Sequence, residues 1–179
     1  MYIGDTMEKT KDSSLIYEGK IVKLFKDTVI LDNGQEAIRE VVKHAKGVSI
    51  AVKDHDGKYF VVKQYRYPLK KEMIEFCAGK VDDGENVDDA VIRECEEELG
   101  VVPTNIKKLG VIIPSCGYCD EELHLYYGEV KEYTKQHLDE DENLNVYKYS
   151  LDEIEEMIEK GIIDDSKTVS TLYFLKKEK

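Results

Sequence analysis

The chain has 179 residues, of which 41% are hydrophobic and 36% charged, with a formal net charge of −12. This balance is typical of a folded globular protein with one main domain rather than of a disordered chain. The excess of acid argues against nucleic acid or an anionic membrane as partner, because both bind to patches of Lys and Arg. The chain also lacks an apolar run of the roughly 20 residues that a membrane-spanning helix needs.

The N-terminal sequence MYIGDTMEKTKDSS has no apolar core of the kind that signal peptides contain. The four cysteines are therefore expected to be reduced thiols in a cytoplasmic protein. Residues before about 13 are polar, and we expect them to be loosely ordered.

Residues 1–46 predict a small antiparallel β-domain, because apolar and β-branched segments flank an Asn33-Gly34 turn of the type that closes hairpins. Such a small sheet is marginally stable alone and needs a surface to pack against. We expect that surface to be a second copy of the chain, and so a homodimer. The predicted strands are 15–18, 21–31 and 35–42.

Residues 47–179 predict the main domain. Mixed strands with one central and two terminal helices indicate an α/β fold, arranged as an α/β/α sandwich with a mixed sheet. Ser150 and Glu153 form a capping box at the start of one terminal helix. The predicted strands are 48–53, 59–65, 72–78, 109–113, 123–130 and 146–149, and the terminal helices are 150–160 and 166–177.

The stretch 79–101, GKVDDGENVDDAVIRECEEELGV, concentrates acid on one helix. In a regular helix Glu94, Glu97 and Glu98 would share one arc of about 100°, where like charges repel one another. The helix dipole also disfavours anions near its C-terminus. A divalent cation would offset this charge, because Mg²⁺ is commonly held by carboxylates. A solvated acidic face is the alternative.

The order of residues in this stretch resembles the signature of the Nudix hydrolases. A glycine, five residues, a glutamate and seven residues precede Arg-Glu-x-x-Glu-Glu-x-Gly. The resemblance implies a loop–helix–loop metal site that hydrolyses a nucleoside diphosphate linked to another group. The matching positions are Gly79, Glu85, Arg93, Glu94, Glu97, Glu98 and Gly100.

The resemblance implies that Mg²⁺ (or Mn²⁺) is bound by Glu94, Glu97, Glu98 and the main-chain carbonyl of Ala78. Metal-activated water would then hydrolyse the diphosphate bond. Glu85 is expected to fix the loop or bind a metal rather than to act as the base.

A catalytic base is expected in the acidic run 139–142, which resembles a loop that supplies it in one branch of the family. The register favours Glu140 over Glu142. A base must come within hydrogen-bond reach of the water that it activates. An ordinary acidic surface loop is the alternative for this run.

From about residue 17 to the C-terminus the chain resembles the ADP-ribose pyrophosphatases and related nucleotide-sugar enzymes. Arg39 and Glu40 look like a pair that contacts the adenine end across a dimer interface. Arg66, in Gln-Tyr-Arg, looks like the arginine that faces the diphosphate, and a guanidinium suits phosphate oxygens. A surface cation is the alternative for either arginine.

The segment 114–121, PSCGYCDE, lies where this branch carries a loop against the terminal ribose. Gly117 and Glu121 keep the register, whereas Cys116 stands where a proline accompanies ADP-ribose preference. A redox or zinc role for Cys116 and Cys119 is the alternative to a structural one, which we favour because no second ligand pair is evident.

The sequence thus predicts hydrolysis of a nucleotide sugar, with ADP-ribose cleaved to AMP and ribose 5-phosphate. Two other functions remain open. One is cleavage of another substrate, such as GDP-mannose or a coenzyme. The other is a non-catalytic nucleotide sensor on the same fold, against which the complete set of signature acids argues.

Overall fold

The computed structural model describes residues 8–138 and 143–177. The chain forms two compact units. The first contains the residues up to 45 together with 113–121, and the second contains 46–112 and the residues from 122 onward. The segment 113–121 thus groups with the N-terminal sheet. Among the described residues, no helix is both long enough and apolar enough to cross a membrane.

The first unit contains a three-stranded antiparallel sheet in the order β1-β2-β3. The predicted Asn33-Gly34 turn is confirmed, since Gly34 has a φ of +79° and donates its N–H to Leu31 O at 2.9 Å. A positive φ of this size favours glycine, which has no Cβ to clash. The strands are β1 (Glu8–Glu18), β2 (Val22–Leu31) and β3 (Glu36–His44).

The expectation of loose order before residue 13 is wrong for residues 8–12, which belong to β1. Their polar side chains find partners across the sheet instead of a core. Lys11 pairs with Glu36 of β3, and Ser13 Oγ donates to Asp27 Oδ1 of β2 at 2.6 Å. Cross-strand pairs of this kind stabilise a sheet without apolar burial.

The second unit is built on a seven-stranded mixed sheet. Its main path runs β10-β5-β4-β9-β8, with β6 beside β5 and β7 beside β4. Strands β4 and β9 run parallel, and the other pairs are antiparallel. The strands are β4 (Gly47–Lys53), β5 (Tyr59–Arg66), β6 (Lys71–Glu75), β7 (Cys77–Lys80), β8 (Val101–Ile112), β9 (Leu123–Tyr133) and β10 (Leu144–Tyr149).

Helices cover both faces of this sheet, which confirms the predicted α/β/α sandwich. They are α1 (Val87–Glu94), α2 (Leu151–Glu159) and α3 (Ser166–Lys177). Alternate residues of β4 serve the two cores, as the pleat of a strand requires. Val48 and Ile50 pack with α1 residues such as Val91, whereas Ala51 packs with Ile154 of α2 and Leu175 of α3.

Two further strand predictions needed correction. The expected strand 72–78 is two strands, β6 and β7, separated at Phe76. Strand β8 begins at Val101 rather than at 109. The predicted helix 166–177 is confirmed as α3, which buries Thr168, Thr171, Leu172 and Leu175. The capping box of α2 is confirmed: Ser150 and Glu153 each accept the other's backbone N–H.

Candidate active site

The acidic stretch begins with a loop that β7 feeds into α1. In this loop Glu85 Oε2 accepts the N–H of Asp82 at 2.9 Å. Asn86 caps the helix by accepting the N–H of Asp88 at 2.8 Å. These contacts satisfy backbone donors that the loop and the first helical turn leave open. The loop therefore delivers α1 in a fixed position against β7.

The helix then widens. Residues Cys95–Leu99 form a π-helical turn, and Gly100 ends it with a φ of +64°. π-helical turns are rare and frequently lie at functional sites. Glu94 and Glu98 are buried, with 7% and 2% exposure, whereas the side chain of Glu97 is 37% exposed. The expectation of a regular α-helix through Glu97 and Glu98 is therefore wrong, since the α-helical turns end at Glu94.

The widened turn leaves backbone carbonyls without partners inside the helix, and residues after β9 donate hydrogen bonds to them. His137 N donates to Glu97 O at 2.9 Å, and Gln136 Nε2 donates to Glu98 O at 2.6 Å. Thr134 N donates to Gly100 O at 2.7 Å. The segment 134–137 thus fixes the C-terminal end of the acidic helix.

Gly79 lets the glutamates approach the strand. A Cβ at this position would lie 1.9 Å from Cδ and Oε1 of Glu94. On the neighbouring residue, Ala78 N donates to Glu98 Oε2 at 3.2 Å. Two buried carboxylates therefore converge on the backbone of residues 78–79.

Arg93 holds the acids of this stretch together. It donates to Glu85 through Nε at 2.8 Å and Nη2 at 3.0 Å, and through Nη1 to Glu94 and Glu97, each at 2.8 Å. Its Nη2 also donates to Lys80 O at 2.9 Å. The hydrogen bonds from Arg93 lower the pKa of Glu85, and the bonds with Glu85 and the other acids raise the pKa of Arg93. Arg93 thus braces Glu97 four residues later on the same helix.

The donor set at this point suits a hard divalent cation. Carboxylate oxygens are among the ligands that Mg²⁺ prefers, and the buried carboxylates of Glu94 and Glu98 supply them beside residues 78–79. In residues 8–138 and 143–177, however, no three acidic, histidine or cysteine side chains are grouped to hold a metal as they stand. Arg93, which bonds both Glu94 and Glu97, accounts for part of this spacing.

Arg66 lies at the end of β5 in the same unit. Its Nε and Nη2 donate to Glu75 Oε1 and Oε2 at 2.8 and 2.6 Å. These bonds raise the pKa of Arg66, and the charge of Glu98 raises it further. Arg66 is therefore a guanidinium held by Glu75 whose pKa also reflects the charge of Glu98. Its expected role at a diphosphate stays a prediction.

A cleft of about 510 Å³ opens beside the acidic helix. His137 belongs to its wall, and sequence reasoning missed this residue because a single histidine in a polar stretch carries no periodic or motif signal. The lining residues are Glu85, Asp89, Ile92, Arg93, Glu96, Glu97 and His137.

Family models match most of the chain. Residues 43–172 match the NUDIX domain, and residues 8–42 match the nucleoside diphosphate sugar hydrolase N-terminal domain. This chain belongs to the Nudix family. It is a Nudix hydrolase, and Nudix hydrolases generally use divalent metal ions.

Several proteins resemble it over most of their length. An ADP-ribose pyrophosphatase of Bacillus subtilis is 34% identical, and a methanol dehydrogenase activator of Bacillus methanolicus is 38% identical; each alignment covers 94% of this chain and 92% of the relative. A GDP-mannose pyrophosphatase of Pectobacterium atrosepticum is 29% identical over 75% of each chain. The solved structure of an ADP compounds hydrolase has a TM-score of 0.85 at 17% identity, covers 95% of this chain and 92% of its own, and shows the shared Nudix fold.

The expected adenine-side pair lies on β3 of the first unit. Arg39 is held by Glu8, with Nε donating to Oε2 at 3.0 Å. Glu40 is the next residue of the strand, and successive strand residues point to opposite faces. Arg39 and Glu40 therefore lie on opposite faces of the three-stranded sheet.

The expected ribose loop belongs to the same unit as β3. Val42 N donates to Tyr118 O at 2.7 Å, and Asp120 N donates to Val42 O at 3.2 Å. Glu121 Oε1 lies 3.7 Å from His44 Nδ1. The structure thus brings the loop that contains Gly117 and Glu121 onto the strand that carries Arg39 and Glu40.

The two cysteines of this loop lie on a single helical turn, in which Ser115 O accepts the N–H of Cys119 at 3.0 Å. Cys116 is exposed and Cys119 is half-buried, and both are free thiols. The structural role expected for the pair stays a prediction. The expected base, Glu140 or Glu142, lies outside the described residues.

Proposed function

We propose that this Nudix hydrolase cleaves the diphosphate bond of a nucleoside diphosphate sugar, with ADP-ribose as substrate and AMP and ribose 5-phosphate as products. One observation carries the proposal: two buried carboxylates, Glu94 and Glu98, converge on residues 78–79. In the same unit, the charge of Glu98 raises the pKa of the Arg66 guanidinium. An acidic pocket for a cation beside a fixed guanidinium is what a diphosphate substrate requires.

The metal in this proposal is Mg²⁺ (or Mn²⁺). Glu94, Glu98 and the carbonyl of Ala78 would hold it, with Glu97 joining when its carboxylate leaves Arg93. A cation bound there would neutralise the diphosphate and acidify the attacking water. Glu85 remains on Arg93 and fixes the loop, which fits its lowered pKa better than the role of a base.

The remaining residues are assigned to substrate binding and to the general base. Arg66 donates to the diphosphate oxygens, and we assign the general base to Glu140 or Glu142 of the acidic run. Arg39 and Glu40 contact the nucleoside end, and the loop with Gly117 and Glu121 contacts the terminal sugar. The match of residues 8–42 to a nucleoside diphosphate sugar hydrolase N-terminal domain supports a substrate role for the first unit.

The first unit also motivates a homodimer. All eleven residues of β1 are exposed in the single chain, and Leu15, Ile16 and Tyr17 are 48%, 57% and 59% exposed. Large apolar side chains exposed at consecutive positions of one strand favour burial against another surface. We propose that a second copy covers it and that the enzyme works in the cytoplasm, where its four cysteines stay reduced.

GDP-mannose is the second candidate substrate, because a relative that is 29% identical is named a GDP-mannose pyrophosphatase. The test is kcat/KM for ADP-ribose, ADP-glucose and GDP-mannose with Mg²⁺. We expect ADP-ribose to be the best of the three, with modest discrimination against ADP-glucose. If GDP-mannose is best, the assignment of Arg39 and Glu40 to adenine is wrong.

Cys116 provides a matched variant for the same panel. Proline fixes φ and would stiffen the wall of the loop. We expect Cys116→Pro to sharpen discrimination between ADP-ribose and ADP-glucose and to leave the metal dependence unchanged. Equal loss on all substrates would place this loop outside the sugar pocket.

A further inference from the structure

A second group of ionic side chains lies behind Arg66, and the signature does not include it. Its centre is Glu75, the last residue of β6, which is only 2% exposed. Glu75 accepts two hydrogen bonds from Arg66, and it also pairs with Lys167 Nζ from α3. One buried carboxylate thus has two cationic partners.

Lys167 is itself fixed. Its side chain is 11% exposed, and Nζ donates to Asp165 Oδ1 at 2.9 Å. Asp165 Oδ2 accepts the N–H of Thr168 at 2.9 Å and its hydroxyl at 2.6 Å. The Thr168 hydroxyl oxygen in turn accepts Phe76 N–H at 2.9 Å.

These contacts close a ring between α3 and the junction of β6 and β7. Phe76 follows Glu75 directly, and two residues later Ala78 donates to Glu98. The beginning of α3 is therefore tied to the backbone that carries the metal-site carbonyl. These hydrogen bonds account for the burial of Thr168 in α3.

Lys167, the second cation on Glu75, is needed because Arg66 also has to bind a phosphate. An arginine that serves only as the partner of a buried carboxylate leaves that carboxylate uncompensated whenever it turns to a phosphate, and an unpaired buried charge is costly. Burial raises the pKa of Glu75, but the bonds from Arg66 and the charge of Lys167 outweigh this and lower it. Two cations and two anions, with Lys167 shared between Glu75 and Asp165, leave the group neutral.

The guanidinium of Arg66 bonds Glu75 along one edge only. Arginine has five N–H groups in a rigid plane. Glu75 takes one from Nε and one from Nη2, along one edge of the fork. The Nη1 side of the fork is not used by Glu75.

We propose that Glu75 and Lys167 are positioning residues for Arg66: they fix one edge of its guanidinium so that the other edge meets the diphosphate. This inference rests on the proposed function, in which Arg66 binds the substrate. Lys167 acts at a distance from the reacting atoms, by keeping Glu75 compensated while Arg66 shares its charge with phosphate. Positional errors of about 1 Å cost up to roughly 100-fold in rate or binding.

The test is a double-mutant cycle between Arg66→Lys and Lys167→Gln, read as kcat and KM for the best nucleotide-sugar substrate. Lys167→Gln should raise KM about 10-fold and change kcat less than about 3-fold, because the Arg66 guanidinium contributes to binding of the substrate in the ground state. Lys167→Arg should restore KM. Lys176→Gln, a matched control on the exposed side of α3 where Lys176 pairs with Glu155, should leave both parameters unchanged.

Coupling decides between positioning and a purely structural role. Once Arg66→Lys has removed the fork, adding Lys167→Gln should cost less than about 2-fold more in kcat/KM, because residues that act as a unit are not additive. Additive losses, or a lower melting temperature with unchanged KM, would overturn the proposal. An Arg66→Lys variant with normal KM would also overturn it.

The cycle is separable from the proposed function. Failure of the wild type to hydrolyse any nucleotide sugar refutes that function, and the cycle is then read as the Kd of ADP-ribose measured by calorimetry. A Kd that Lys167→Gln leaves unchanged refutes the positioning role, and a roughly 10-fold weaker Kd with the same coupling supports it.

Discussion

Arg93 and Glu85 face each other in a two-point ion pair, with Nε to Oε1 at 2.8 Å and Nη2 to Oε2 at 3.0 Å. The pair joins the loop before α1 to the last turn of that helix. The remaining donors of Arg93 reach Glu94 and Glu97. Without a metal, this one cation therefore compensates three carboxylates.

Replacement of Arg93 should expose that dependence. Arg93→Gln leaves three acids to repel one another, and we expect the metal-free protein to lose about 2 kcal/mol of unfolding free energy. Added Mg²⁺ should restore part of the loss, because a ligand that binds only the folded state stabilises it.

Urea unfolding with and without Mg²⁺ measures this effect. Arg39→Gln is the matched control, since the Arg39–Glu8 pair is well exposed and its loss should change the unfolding free energy much less. Equal losses in the two variants would show that Arg93 is an ordinary surface cation.

Gly79→Ala should separate catalysis from folding. The new Cβ would occupy the position of the Glu94 carboxyl group, and a flexible side-chain end can move aside at modest cost. We expect a change in stability of about 1 kcal/mol and a fall in kcat/KM of roughly 100-fold, because the carboxylate no longer converges on the site. Thermal unfolding and kinetics at saturating Mg²⁺ test both parts. A variant that unfolds, or one with full activity, would contradict the prediction.

Acid should lower the free energy of unfolding because it protonates Glu75. Its pKa is lowered from the ordinary value of 4.5 in the folded chain, so ionised Glu75 stabilises the fold at pH values above 4.5. That contribution is lost as the pH falls through the lowered folded-state pKa. Glu75→Gln should cost about 3 kcal/mol at pH 7 and flatten the decline of stability below about pH 4.5.

Denaturant unfolding at pH 7, 5, 4 and 3.5, as approximate settings around the carboxyl range, measures the two curves. Glu159→Gln, at an exposed position near the end of α2, should follow the wild type throughout. Parallel curves for Glu75→Gln and the wild type would mean that Glu75 is not ionised in the folded state.

The exposed face of β1 should govern assembly. We expect the wild type to sediment as a dimer at micromolar concentration and Leu15→Asp to sediment as a monomer, because a buried carboxylate in the interface is costly. Ile162→Asp is the matched control, since Ile162 is 53% exposed in the second unit against 48% for Leu15. A wild type that is monomeric at this concentration would refute the dimer.

The sequence predicted most strands and the capping box, because each has a local signal. The π-helical turn has none. Its widened geometry depends on carbonyls of Glu97 and Glu98 that bond His137 N and Gln136 Nε2, and these partners lie about 40 residues later in the chain. Contacts between residues so far apart in the chain override local helix propensity, and they cannot be predicted from a short segment of sequence.

The other errors have similar causes. The strand predicted at 109–113 begins at Val101 and includes Pro103, which β8 tolerates because it is an edge strand. Of the site, the signature residues and Arg66 were predicted from motifs. Glu75 and Lys167 were missed because ion pairs between residues 92 positions apart leave no pattern in the sequence.

Product analysis tests the central claim most directly. The wild type incubated with ADP-ribose and Mg²⁺ should yield AMP and ribose 5-phosphate in equal amounts, and chelation of the metal should stop the reaction. Glu98→Gln should keep the fold and lower kcat by about 100-fold or more, as loss of a metal ligand implies. Near-normal turnover by Glu98→Gln at saturating Mg²⁺, or intact ADP-ribose with the wild type, would contradict the account.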